Sequence, residues 1–262
     1  MPSKTSKNYS SKKIELLLIS PNTIRRTITD EAVNISPSSL GVLFSGKIQF
    51  SLPNVVFARE RVDLEHSRGK LYLVEHTAAF CALSGIHSGI VKGTNSKWNL
   101  CRPSHQVAQT NGDGPDTILG RSDGRIWKPE VPPLELKSLK NIKTQFWVIN
   151  REFHFKDEFG TNIVMSPPNN IRAMTIKCHH KHYSAEVIFS LFDGIPDTNI
   201  KRKILRSRSI AVIGSWNEEA IWHAIGDVIG DLIGIGRLCA DIDVELHSFY
   251  HNATIGCLRT IL

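Results

Sequence analysis

The stretch Glu218–Gly236, EEAIWHAIGDVIGDLIGIG, decides how this chain is read. Its apolar run from Ile221 to Ile235 carries one imidazole, His223, and two carboxylates, Asp227 and Asp231, at successive four-residue steps. Residues four apart on an α-helix project from one face about a turn apart. The spacing therefore predicts a helix that presents His223 and Asp227 side by side, which is how a helix offers two ligands to one metal ion. Asp227 and Asp231 also interrupt the run too early for a membrane span.

Outward from this helix, the preceding sequence has strand texture. Phe146–Phe155 (FWVINREFHF) alternates like one half-buried strand, and Asn162–Met165, Ile171–Cys178 and Ser184–Phe192 continue the pattern. Asn252–Leu262 reads as a closing helix. The same order occurs earlier in the chain. From Ile14 to Asn54 short apolar runs are cut by Pro, Ser and Gly, as in strands and turns. Leu71–Leu83 (LYLVEHTAAFCAL) is then helix-compatible and stops at Ser84-Gly85, a C-cap signal. Strands followed by helix, twice, predict an α+β protein of two similar halves. The Pro-rich Pro129–Pro133 (PEVPP) marks the boundary, giving an N-terminal domain over 14–133 and a C-terminal domain over 134–262. Lys92–Gly124 is polar and rich in Gly, Asn and Asp, which predicts a long loop. Residues 1–13 read as a disordered basic tail without the apolar core of a secretory signal.

At 262 residues, 41% hydrophobic and 22% charged, the chain has the balance of a soluble protein with a real core. Its five cysteines (Cys81, Cys101, Cys178, Cys239, Cys257) are scattered and form no CxxC pair, which points to free thiols and a cytoplasmic location. The net charge of +7 is concentrated in the tail and in Lys201–Arg208 (KRKILRSR). Such charge suits nucleic acid, an anionic membrane surface touched peripherally, or a phosphorylated small substrate. Nucleic-acid binding would rest on charge alone and is not expected.

Two further fragments bring chemistry to the helix. Val74-Glu75-His76 sets an imidazole beside a carboxylate, and Tyr250-His251-Asn252 supplies a third imidazole. A hydrolytic zinc site needs three protein ligands and an open position for water, whose pKa the metal lowers to about 7. His76, His223 and Asp227 can form that shell, with His251 able to complete it and Glu75 placed as the general base. Asp231 is by default a surface acid, or else orients His251 through its second ring nitrogen. Cys178-His179-His180-Lys181-His182 is metal-like in composition, but its members are too close in sequence to enclose one ion, and it reads as a polar strand end. His87 is expected in an exposed turn. No P-loop, dinucleotide fingerprint or nucleophile elbow is present.

Taken in order, these motifs resemble those of the zinc-dependent UDP-3-O-acyl-N-acetylglucosamine deacetylases of lipid A synthesis. The family's VEH segment is matched by Val74-Glu75-His76, its helix pattern by Glu218 to Leu232, and its G-H-x-x-N motif by Tyr250-His251-Asn252-Ala253-Thr254. Gly41–Gly46 (GVLFSG) is similar to an early glycine motif. The resemblance implies two related domains, each a sheet layer on a helix layer, with zinc between them. It implies His76, His223 and Asp227 as metal ligands and Glu75 as general base. It moves His251 to the role of an acid that stabilises the oxyanion and protonates the leaving amine, with Asp231 holding it and the Ser209 hydroxyl beside the oxyanion. Iron(II) suits the same donors as zinc. The implied substrate is a UDP-linked amino sugar, acted on by a monomer. Departures are Ala224 for the family's Lys, Ser209 for its Thr, Thr254 for its Asn and Phe44 for its His, with a long insert missing between Ser209 and His223. The alternative expectation is therefore a deacetylase of a different amino sugar, or a non-catalytic binding protein on the same fold.

Overall fold

The computed structural model describes residues 15–19, 23–25, 28–29, 33–36, 43–45, 47–59, 61–67, 69–71, 74–83, 85, 87, 89–93, 119–120, 126–127, 137–139, 144–207, 209–247 and 251–262. The predicted tail (1–13), the Pro129–Pro133 linker and most of the Lys92–Gly124 loop lie outside these residues. The chain is an α+β protein with mixed sheets.

In the later part of the chain one five-stranded sheet forms the floor of the site. Its strands are β11 (Phe153–Lys156), β12 (Asn162–Ser166), β13 (Met174–His180), β14 (Tyr183–Phe189) and β16 (Asp241–Glu245), in the order β11-β12-β16-β13-β14. Only the β13–β16 pair is parallel, with Ile176 opposite Ile242. Alternate residues point to one face, so Met174, Ile176 and Cys178 of β13 and Val187 and Phe189 of β14 are buried together. Helix α4 (Glu218–Val228) lies across that face. Its start is set by Asn217, whose side chain accepts the Ala220 N–H at 2.9 Å. Helix α2 (Thr198–Arg206), capped by Asp197, packs on α4, and the short α3 (Ile210–Ile213) links the two.

The earlier part of the chain contributes β1 (Glu15–Ile19) and a five-stranded sheet of β2 (Ile28–Thr29), β3 (Val33–Ser36), β4 (Leu43–Ser45), β5 (Ile48–Gln49) and β9 (Gly89–Gly93). A three-stranded meander of β6 (Val55–Ala58), β7 (Val62–His66) and β8 (Gly69–Leu71) follows and leads into α1 (Val74–Leu83). Gly85 ends α1 as expected: its φ is 67 and its N–H bonds the Ala82 carbonyl at 2.9 Å. Another three-stranded sheet stitches distant segments together, with β10 (Thr144–Val148) between β1 and β15 (Leu238–Cys239).

Three expectations need correction. Phe146–Phe155 is not one strand: β10 ends at Val148 and β11 begins at Phe153, because the polar Asn150–Glu152 turn hands the chain from one sheet to another. The helix over Glu218–Gly236 is α-helical only to Val228 and continues as a π-helical segment, Ile229–Ile235, where the Gly236 N–H reaches back five residues to the Asp231 carbonyl at 2.8 Å. His87 is not exposed. Its Nε2 bonds the Leu191 carbonyl, and burial beside Arg237 lowers its pKa to about 3. The histidine-rich string behaves as read, with β13 ending at His180 and Lys181 turning the hairpin at φ 51. Lys203 of the basic segment pairs with Glu218 at 3.4 Å and lies over the Trp222 ring. No helix among the described residues is long and apolar enough to cross a membrane.

Candidate metal centre

Helix α1 rests on the π-helical segment through a ladder of glycines. Gly226, Gly230 and Gly234 recur every four residues, and the last two face α1. A Cβ on Gly230 would come within 2.3 Å of the Glu75 carbonyl oxygen, and one on Gly234 within 2.8 Å of the Ala78 Cβ. Gly226 faces Ile204 of α2 at 3.0 Å. Side chains at these positions would hold the helices apart; hydrogen lets them touch. The first turn of α1, with Glu75 and His76, is thereby delivered to the turn of α4 that carries His223 and Asp227.

His76, His223 and Asp227 meet there, each offering a ligand atom within 4.8 Å of the others. His76 Nε2 lies 3.5 Å from Asp227 Oδ1, and His223 Nε2 lies 3.3 Å from Asp227 Oδ2. The two rings stand at 90° with centroids 5.3 Å apart. Ligand atoms about 2.0–2.1 Å from a tetrahedral ion are separated by roughly 3.3–3.4 Å, so these two spacings are compatible with a ligand set. His223 Nδ1 donates to the Ser207 carbonyl at 3.0 Å, which leaves Nε2 as the lone-pair nitrogen facing Asp227. Asp227 is buried and its Oδ1 accepts no hydrogen bond. A buried carboxylate oxygen in that condition fits a cation, so the group can hold a metal ion.

Glu75 and His251 flank this group. Glu75 is fully buried, and its Oε2 accepts the Val62 N–H from β7 at 2.8 Å. His251 opens α5 (His251–Ile261), its backbone N–H tied to the Arg59 carbonyl at 2.9 Å. The ring spans two carboxylates from successive helical turns: Nδ1 is 2.7 Å from Asp231 Oδ2, and Nε2 is 3.9 Å from Asp227 Oδ2. Asp231 is thus the orienting partner of His251, which stands beside the His76–His223–Asp227 group. Ser209 lies half-buried before α3, two residues from the Ser207 carbonyl that fixes His223.

The electrostatics follow from burial and charge. Burial, the strongest influence on Glu75, raises its carboxyl above the ordinary carboxylate value against the pull of His251 and His76. Burial also opposes ionisation of Asp227, but His223 and His251, with the His76 ring beside it, together hold it well below the usual range. For His251 burial disfavours the imidazolium, yet Asp231, Asp227 and Glu75 outweigh it and raise its pKa to about 10. Around the candidate ligand group the site therefore sets a carboxyl with raised proton affinity and an imidazole with raised pKa.

Several participants escape sequence reasoning. The Ser207 carbonyl, the Val62 N–H and the Arg59 carbonyl are backbone groups whose use depends only on where the chain passes. Thr254, a departure from the motif, bonds Asp231. The glycine ladder did leave a signal, its four-residue period. Ala224 is 2% exposed and belongs to the hydrophobic core. No protein-family model matches the chain, and no curated protein matches it.

Proposed function

We propose that this protein is a zinc-dependent amidohydrolase that removes the N-acetyl group from a UDP-linked 3-O-acyl-N-acetylglucosamine, as in lipid A biosynthesis. The observation that carries the reading is the meeting of Glu75 and His76 with His223, Asp227 and His251, which come from three separated parts of the chain. On this reading the chain consists of two related α+β halves, 14–133 and 134–262, with the zinc between α1 of the first and α4 and α5 of the second.

His76, His223 and Asp227 would hold the ion, which supplies Lewis acidity toward water and toward the amide carbonyl. Glu75, buried and steadied by the Val62 N–H, takes the proton from the attacking water. His251, kept as the imidazolium by Asp231, stabilises the developing oxyanion and then protonates the leaving amine. Ser209 adds a hydroxyl toward the same oxyanion.

The route from Ser209 to α4 favours a second reading with the same chemistry and a smaller substrate. Only the four-residue α3 and the Gly214 turn separate Ser209 from the Asn217 cap, so this connection carries no extended wall for a long acyl chain. Acetate release from acylated and non-acylated UDP-N-acetylglucosamine, measured on the zinc-loaded protein, tests both. Zinc-dependent release from the acylated sugar is expected, and preference for the non-acylated one would move the assignment to the second reading. A fully zinc-loaded protein that releases acetate from neither would overturn the hydrolytic reading in favour of a binding protein.

A further inference from the structure

We propose that Thr254 is a positioning residue for His251, acting through Asp231; the inference rests on the amidohydrolase reading of the site. Thr254 stands one turn after His251 on α5, so its hydroxyl and the imidazole leave the same face of the helix. Both reach one atom. The Thr254 hydroxyl is 2.5 Å from Asp231 Oδ2, and His251 Nδ1 is 2.7 Å from the same oxygen. The other oxygen, Oδ1, is buried and accepts no hydrogen bond. Asp231 and Thr254 are completely buried and His251 nearly so, which keeps water from substituting for any of these bonds.

A carboxylate torsion is broad and two-fold, so a single donor leaves the plane free to swing. Two donors on one oxygen, both from α5, tie the Asp231 carboxylate to that helix instead. The Thr254 oxygen also lies 2.9 Å from the His251 carbonyl, a competing acceptor. A hydroxyl has one proton, and the carboxylate is the stronger acceptor, so that proton lies toward Asp231. With Oδ2 held in place, the ring plane of His251 is set and its Nε2 is aimed at the metal group, 3.9 Å from Asp227 Oδ2. The hydroxyl of Thr254 reaches Asp231 and the His251 carbonyl, and its effect passes through Asp231 to the imidazole.

Thr254→Val keeps the shape and removes the hydroxyl, whereas Thr254→Ser keeps the hydroxyl and removes the methyl. Zinc content should stay stoichiometric in both. With Val, kcat should fall about 10–100-fold, the usual loss when an orienting partner is removed, with KM nearly unchanged. With Ser, kcat should return to within about threefold of the parent, because the bond is restored. A readout without substrate is the downfield proton on His251 Nδ1, observed by nitrogen-edited NMR of histidine-labelled protein. It should be protected from solvent exchange in the parent and in Thr254→Ser and should exchange faster in Thr254→Val. Thr254→Ala serves as a second hydroxyl-free variant should Val fail to fold. An unchanged Nδ1 proton in the hydroxyl-free variants overturns the inference, as does a Ser variant as impaired as Val, which would mean packing alone. Absence of hydrolysis in the parent would overturn the amidohydrolase reading, and the NMR comparison would still decide the role of Thr254.

Discussion

Gly230 packs against the backbone carbonyl of Glu75 so closely that a Cβ would come within 2.3 Å of the oxygen. The contact joins the π-helical segment to the first turn of α1, and Ala79 N stands behind it, 3.2 Å from the same Cβ position. Neither neighbour is a side-chain tip that can rotate away. The residue beside this contact is His76, so the distance between two helices and the distance between two candidate metal ligands are set at the same point.

Gly230→Ala should therefore damage folding and metal binding together. Forcing a methyl into this contact costs about 1–3 kcal/mol as overpacking. Denaturant unfolding should show the loss, and metal content by elemental analysis should fall with it because α1 is displaced. Gly214→Ala is the control. Its Cβ meets nothing within 4 Å, so that variant carries only the left-handed backbone cost at φ 82 and should keep its metal. Equal metal loss in both would count against the ladder as the determinant of ligand geometry.

Metal should stabilise the fold through His76, His223 and Asp227. A ligand present at a hundred times its dissociation constant contributes about 2.7 kcal/mol when it binds only the native state. Chelation should lower Tm, and zinc should restore it. His76→Ala, His223→Ala and Asp227→Ala should each abolish the zinc response, whereas Ser209→Ala should retain it. Thermal melts with and without zinc check this, and a full response in Asp227→Ala would remove that residue from the ligand set.

Glu75→Gln separates chemistry from binding. The amide oxygen can still accept the Val62 N–H, so the turn around residue 62 should survive. A lost general base costs typically 10²–10⁴-fold, and acetate release should fall by about that factor with zinc content unchanged. Parallel loss of zinc would instead make Glu75 a ligand.

In the metal-free protein, stability should depend on pH through His251 and Asp227. The folded pKa of His251 is raised to about 10, above the ordinary value of roughly 6.5. Its contribution is fully present below about pH 6.5 and disappears as pH rises through about 10. Asp227 is shifted the other way, so its contribution is present above about pH 4 and disappears in acid. Urea titrations of chelated protein between neutral and alkaline pH should show declining stability, and His251→Gln should flatten that decline.

Much of the centre was legible in the residues themselves because it depends on a local period. The four-residue steps from His223 to Asp227 to Asp231 held, since backbone hydrogen bonding fixes which side chains share a helical face. The strand alternation of Met174–His180 held for the same reason, with the pleat burying Met174, Ile176 and Cys178. Phe146–Phe155 failed because alternation does not record which sheet a strand joins. His87 failed because the carbonyl and guanidinium that enclose it, Leu191 and Arg237, are more than a hundred residues away.

By itself the sequence determined the helical character of Val74–Leu83, Glu218–Val228 and His251–Ile261, the stop at Gly85 and the shared face of His223 and Asp227, because those follow from interactions spanning a few residues. Only the tertiary structure decided which faces meet. The separation of α1 from the π-helical segment, the ring of His251 bridging Asp227 and Asp231, and the use of backbone groups at Val62 and Ser207 all require residues far apart in the chain to share one buried space. That arrangement comes from close packing of whole elements, which no local pattern specifies.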